Sequence, residues 1–234
     1  YRWAVRNAPQ LVSEALMDES NELPILVVST DPSWKDFSKW WADVTAPKMV
    51  ATPDIKAKVA ELTKDSKTDE DKIKALYDFV AQDIRYRGLG VGPRTGYTPR
   101  KANETFTSRW GVCRDVSILL TSMLREAGIQ AYPVLTNVGD PVLPKIAYDG
   151  FNHAIVAMPN KAGGWTYLDP TAKNNSSLLP GYEAEQDTLE STTKGEPLTR
   201  IPALDPGANL GHATAQTTIN ADGSMSSKIK LETK

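Results

Sequence analysis

The 234-residue chain has 1 cysteine and 2 histidines. One cysteine excludes an internal disulfide framework and a cysteine-based zinc site, and two histidines leave no multi-histidine metal site. No metal and no cofactor is expected. No apolar run approaches the roughly 18 residues of a membrane-spanning helix, so no membrane insertion is expected of this segment. An excess of charge is also missing. Lys+Arg number 27 and Asp+Glu 29, a formal net charge of -2, which leaves no electrostatic footprint for nucleic acid or anionic lipid. The opening YRWAVRNAPQ lacks the basic-then-apolar layout of a signal peptide. It starts without Met in strand-like sequence, so the chain reads as a piece of a longer protein. What is present is ordinary for a globular protein, 40% hydrophobic and 24% charged. That length holds one large domain with appendages.

Residues 1–31 read as the end of a preceding β-domain. YRWAV alternates, and LPILVVST is a short run rich in Val and Ile. A core is expected over 32–194. Ser33 is placed to cap a helix with Asp36 in its first turn, and Trp34, Phe37 and Trp41 recur at helical spacing as a core-docking stripe, with Trp40 beside them. Thr52, Pro53 and Asp54 open a second helix. Thr68 and three acidic residues open a third, whose apolar face is Ile73, Leu76, Tyr77, Val80 and Ile84. GLGVGPRTGYTPR reads as an irregular loop, and KANETFTSRW as a short helix. From Cys113 to Ala127 a strongly apolar helix follows, with Gly128 suited to a left-handed C-cap. IQAYPVLTNV, NHAIVAM and GWTYLDP read as strands. Residues 195–234 read as a linker (GEPLTRIPALDPGAN) and a hairpin around Asp222–Gly223, the start of a C-terminal β-domain. The expected fold class is α+β: a central buried helix packed on an antiparallel sheet, with truncated β segments at both ends.

The chemistry centres on RWGVCRD. Gly111 allows a tight backbone turn into the helix. Cys113 then lies where unpaired N–H groups and the helix dipole favour a thiolate, and where the same groups can donate to an oxyanion. Asp115 opposes this unless Arg114 or Arg109 offsets its charge. A nucleophilic thiol needs a base, and the base an orienting group. His212 lies in the linker-like tail. His153 begins a strand. With Met158 set opposite Gly164 in a hairpin across PNKAGG, His153 falls opposite Asp169 on a shared face. Asp169, just before Pro170, is otherwise a natural turn residue. Cys113, His153 and Asp169 therefore offer a nucleophile, a base and an orienter on three different elements.

WGVCRD, LLTSMLREAGIQAYPVL, FNHAIVAM and GWTYLDPTA together resemble the core of the transglutaminase-like superfamily, whose fold is related to papain-like cysteine proteases. The resemblance runs from about Ile73 to Thr171. It implies that Cys113 is the nucleophile, His153 the base and Asp169 its orienter. It also implies flanking β-domains of the same protein, a protein or peptide substrate, and a bacterial periplasmic or cell-surface setting. The chain departs from animal relatives in having no clustered carboxylate loop for calcium and no tryptophan matched to their oxyanion position. Tyr86 and the Gly-rich loop are the places to look for a second oxyanion donor. Two readings follow. One is a thiol-dependent amide hydrolase or transamidase. The other is a non-catalytic binding or scaffold module of the cell envelope. A redox-sensing thiol is disfavoured, since the chain has no resolving cysteine.

Overall fold

Local capping chemistry starts most of the helices. In the computed structural model, which describes residues 2–7, 10, 12, 26–88, 96–139, 142–173, 177–208 and 210–233, helix α1 (Trp34–Thr45) opens with the Ser33 side chain accepting from the Asp36 N–H. Its aromatic stripe is core, as expected: Trp34, Phe37 and Trp41 are buried, while Trp40 is exposed. Helix α2 (Pro53–Thr63) starts at Pro53, but the Thr52 side chain makes no capping bond. Helix α3 (Asp69–Asp83) has a reciprocal box between Thr68 and Asp71. A short helix α4 (Ala102–Ser108) leads to α5 (Cys113–Glu126). Gly128 closes α5 at φ 83°, the left-handed conformation that glycine adopts without a Cβ penalty.

Five antiparallel strands form the main sheet in the order β5-β4-β3-β6-β7. They are β3 (Tyr132–Thr136), β4 (His153–Pro159), β5 (Trp165–Leu168), β6 (Asp187–Glu190) and β7 (Thr199–Arg200). A small parallel pair, β1 (Arg85–Tyr86) and β2 (Trp110–Gly111), lies just before α5. Helix α5 packs against β4 and is surrounded by α2, α3 and α4. It is buried almost throughout, from Asp115 to Leu124. Its apolar side chains join Ile55, Leu76, Val80, Val156 and Leu168 in one core. Alternation along β3 and β4 sends Val134, Ile155 and Ala157 into a separate cluster with Tyr167 and Ile201. The architecture is thus α+β, helices packed on an antiparallel sheet around a central buried helix.

Three local expectations change. None of the described residues among 1–31 lies in a strand, and Tyr1 and residues 23–25 of those two runs lie outside the described residues. The run around Thr199–Arg200, expected as linker, is the edge strand β7, held because Ile201 is 2% exposed in the core. His212, expected in the same linker-like tail, lies within a strand. The chain divides into two compact units, Tyr1–Ile201 and Pro202–Lys234. The second contains the expected hairpin, β8 (Gly211–Ile219) with β9 (Met225–Thr233), turning at Gly223 with φ 81°. No helix among the described residues is long and apolar enough to cross a membrane.

Leu120 is 0% exposed at the centre of α5. Leu120→Ala should destabilise the fold by about 2–5 kcal/mol through lost burial and a residual cavity. Urea unfolding should show a lower midpoint at unchanged slope.

Candidate active site

The parallel pair β1–β2 delivers the chain to Cys113. Tyr86 pairs with Gly111 in register, so the tyrosine is brought beside the start of α5. Gly111 is required by space rather than by a left-handed turn. A Cβ there would lie 2.8 Å from the Asp115 Cβ and 3.2 Å from the Thr105 Cγ2. The tight-turn expectation is replaced by close approach of the Asp115 and Thr105 side chains to the Gly111 backbone. Cys113 is the first residue of α5 and a half-buried free thiol.

Asp115 does not face the thiol as a bare charge. Its carboxylate turns back over the helix start and accepts from the Val112 N–H at 3.2 Å and the Arg100 N–H at 2.9 Å. The Arg114 Nε lies 3.9 Å from it. Burial pushes the Cys113 thiol up. A hydrogen bond and charge from His153, with backbone N–H groups of Ala154 and Arg114, outweigh burial and hold it below its ordinary value. The helix start is fixed to strand β4 by Ser117. Its buried hydroxyl reaches the Cys113 carbonyl at 2.9 Å and the Ala154 carbonyl at 2.8 Å, one proton shared between two acceptors.

His153 and Asp169 meet, but by a different register from the one expected. Val156 pairs with Leu168 and Met158 with Thr166, a shift of two residues from the expected alignment. An even shift preserves which side chains share a face. Asp169 therefore becomes a diagonal rather than a direct neighbour of His153, within side-chain reach. The His153 Nε2 lies 3.2 Å from the Asp169 Oδ2. Asp169 is also a turn residue: its Oδ1 accepts from the Thr171 N–H at 2.8 Å and its Oδ2 from the Thr171 hydroxyl at 2.9 Å. The Tyr77 hydroxyl donates to its carbonyl at 2.8 Å. Asp169 thus stands beside His153 and bonds within its own turn at the same time.

The electrostatics are strongly coupled. Burial disfavours the His153 imidazolium, but hydrogen bonds and charge from Asp169 and Cys113 more than compensate and raise its pKa to about 10. Burial likewise disfavours the Asp169 carboxylate. Hydrogen bonds from His153 and Glu183, the imidazolium charge and the Thr171 N–H keep it below its ordinary value. The Tyr86 hydroxyl contacts Cys113, and burial together with the Cys113 and Asp169 charges raises its pKa, so it stays a donor. Residues 89–95 of the Gly-rich loop, the other place named for an oxyanion donor, lie outside the described residues.

One residue escaped the sequence reading. Glu183, in the 3-10 turn Gly181–Glu183, is 0% exposed, and its Oε1 lies 3.8 Å from the His153 Nε2. GYEAEQ carries no period or motif that singles it out. His153, Asp169 and Glu183 each place one ligand-type atom within 4.8 Å of the others. Such spacing can suit a cation, but the imidazole and Asp169 atoms already satisfy each other and Thr171. The hydrogen bonds of standard geometry in this group run between His153, Asp169 and Thr171.

A cleft of about 340 Å³ opens onto Cys113 and His153, bordered by Trp41, Tyr97, Asp149 and Phe151. That volume suits a side chain or small ligand. Tyr97 and Phe151 pack on Phe37 of α1 at 5.8 and 6.2 Å between ring centroids. Helix α1 therefore supports one wall of the cleft.

A helix-start cysteine stands beside a strand-borne His–Asp pair, on helices packed against an antiparallel sheet. Residues 56–170 match the Transglutaminase-like superfamily, and this segment is a transglutaminase-like domain. The match starts earlier than the sequence resemblance and takes in most of α2. A comparison with curated proteins finds no match. Among solved structures, a candidate protease from Parabacteroides distasonis is 19% identical over 71% of this chain and 31% of that one, with a TM-score of 0.54. A candidate cysteine protease from Cytophaga hutchinsonii is 17% identical over 81% of this chain and 55% of that one, at a TM-score of 0.42. The periplasmic domain of TgpA from Pseudomonas aeruginosa is 21% identical over 55% of this chain and 47% of that one, at 0.38. This chain thus spans 31% to 55% of the length of these structures. At such identity the first of them shares the fold alone.

Asp115→Asn keeps one acceptor oxygen and removes the charge. It should cost about 1–3 kcal/mol of stability, because a buried N–H loses its partner. The alkylation midpoint of Cys113 should move by less than about 0.5 unit. A larger downward shift, read by iodoacetamide rates across pH, would show that Asp115 does oppose the thiolate.

Proposed function

We propose that this domain is a thiol-dependent amide hydrolase, a cysteine peptidase in which Cys113 is the nucleophile, His153 the base and acid, and Asp169 the orienter. One observation carries the reading. The His153 Nε2 is engaged by Asp169, which leaves Nδ1 for the thiol, and the thiol is held below its ordinary value by that same ring. The imidazole thus has one nitrogen for orientation and one for chemistry.

The thiolate attacks the carbonyl carbon of a peptide or glutamine amide. The carbonyl electron pair moves to oxygen. Backbone N–H groups at the start of α5 and the Tyr86 hydroxyl stabilise that oxyanion. The His153 imidazolium gives its proton to the departing amine or ammonia, the C–N bond breaks, and an acyl-thioester remains. Neutral His153 then takes a proton from water. The resulting hydroxide attacks the thioester, the thiolate leaves, and a carboxylic acid is released. An amine in place of water gives transamidation. Hydrolysis is the default outcome, since water as the resolving nucleophile needs no groove of its own. The natural substrate is a protein or peptide, and the setting is the bacterial periplasm or cell surface. Both rest on the family resemblance.

Iodoacetamide labelling of Cys113 tests the pair directly. The half-reaction point should lie clearly below the free-thiol value of about 8.5, and His153→Ala should raise it. A midpoint near that value in both proteins would overturn the reading in favour of a non-catalytic module. On unfolded casein, Asp169→Asn should lower kcat by about 10²–10⁴-fold. Tyr86→Phe should lower it by about 10–10³-fold with little change in KM. The pH profile follows from the signs. Activity should rise as the depressed thiol loses its proton, below its ordinary range. It should fall near pH 10, where His153 loses the proton that the leaving amine needs.

A further inference from the structure

We infer that Glu183 is a positioning residue that holds a proton at neutral pH and donates it in a hydrogen bond to Asp169, so that His153 faces one carboxylate charge rather than two. The inference rests on the proposed roles of His153 and Asp169. It goes beyond them because Glu183 lies outside the segment 56–170 that matches the family.

Its side chain is 0% exposed, and among the described residues neither carboxyl oxygen meets a donor within standard hydrogen-bond geometry. A buried carboxylate without donors is among the most costly groups a protein can hold, and the usual resolution is to keep the proton. The surrounding groups point the same way. From α3 comes the Tyr77 hydroxyl, already donated to the Asp169 carbonyl. From β4 comes His153, whose Nε2–H is directed at Asp169 at 3.2 Å and stands 3.8 Å from Glu183. Beyond β5 lies Asp169 itself, and beside Glu183 in its own turn lies Tyr182. Two carboxyl groups within 4.8 Å do not both ionise readily in a buried site. Asp169 has the His153, Thr171 N–H and Thr171 hydroxyl donors. Glu183 has none. The proton therefore belongs to Glu183. Burial, then the hydrogen bond to Asp169 and its charge, raise the Glu183 pKa to about 9, with the His153 charge acting the other way.

The consequence for Asp169 is mechanical and electrostatic. Its oxygens are held from three sides, by Thr171, His153 and Glu183. The net charge beside the imidazole stays at one.

Glu183→Gln keeps the shape and a donor but cannot ionise. Glu183→Leu keeps the bulk and removes the donor. The two histidines make the His153 titration separable by NMR, with His212→Gln as the assignment control. If Glu183 is protonated, Glu183→Gln leaves the His153 midpoint within about 0.5 unit of wild type. A fall of more than about 1 unit would show that a carboxylate charge has been removed, and would overturn the inference. Linkage supplies a second readout. A raised folded-state pKa makes stability fall as pH rises from the ordinary Glu value toward 9. That decline should be weaker in Glu183→Gln, and an identical decline counts against the inference. For positioning, Glu183→Leu should slow alkylation of Cys113 at neutral pH by about tenfold, with Glu183→Gln restoring it to within about threefold of wild type. Equal rates in all three proteins would remove the positioning role. None of these measurements uses a substrate. Absent amidase activity would count against the proposed function and leave this inference standing.

Discussion

One buried hydroxyl joins the two halves of the site. Ser117 lies one turn into α5 and reaches both the Cys113 carbonyl and the Ala154 carbonyl. The first belongs to the helix that carries the thiol. The second belongs to the strand that carries the imidazole, one residue beyond it. Thiol and base come from segments 40 residues apart in sequence, and their relative position depends on how the start of α5 sits on the start of β4. Apolar contacts are non-directional, and on their own they can fit more than one placement of a helix on a strand. A shared proton between two fixed carbonyls cannot, because a buried acceptor left unpaired costs about 1–3 kcal/mol. Under the proposed function thiol and base tolerate little misplacement, which gives this buried hydroxyl a use at the junction of α5 and β4.

The same economy of space governs the approach to Cys113. Gly111 has no Cβ because the Asp115 and Thr105 side chains occupy that position. Their closeness lets Asp115 reach back to the Val112 N–H. The aspartate that seemed from sequence to threaten the thiolate is thus part of the device that starts the helix. Its charge is directed at backbone donors at the N-terminus, where the dipole favours it. The N–H groups of Arg114 and Ala154 serve the sulfur instead. The Asp115 carboxylate and the Cys113 sulfur, both near one helix start, are each given their own donors.

The main features of the fold and the three proposed site residues were legible because they depend on periodicities that tertiary structure rarely overrides. The α5 pattern from Val116 to Leu124 could only be a buried helix. Parity along β4 and β5 placed His153 and Asp169 on one face even though the register was displaced by two residues, since an even displacement leaves the face unchanged. What failed was local. Thr52 occupies a cap position without capping. Thr199–Arg200 pairs as an edge strand because Ile201 is anchored in the core, a long-range effect with no local signature. Glu183 was invisible for the same reason. An isolated Glu in a polar stretch reads as solvated surface, and only the return of the chain past β5 buries it.

Charge accounting across the cluster shows why the fourth group matters. A thiolate and an imidazolium cancel, and Asp169 leaves the site with one net negative charge. A second ionised carboxylate 3.8 Å from the His153 Nε2 would stabilise the imidazolium further. In the proposed mechanism that would favour the resting ion pair at the expense of later steps, in which His153 surrenders its proton to a leaving amine and then acts as a neutral base toward water. Catalysis requires a ring that both takes and gives a proton near its working pH. A neutral acid beside Asp169 gives orientation without adding to the basicity of the ring. The turn Gly181–Glu183 thus places, from outside the family segment, a group able to moderate the chemistry proposed for that segment.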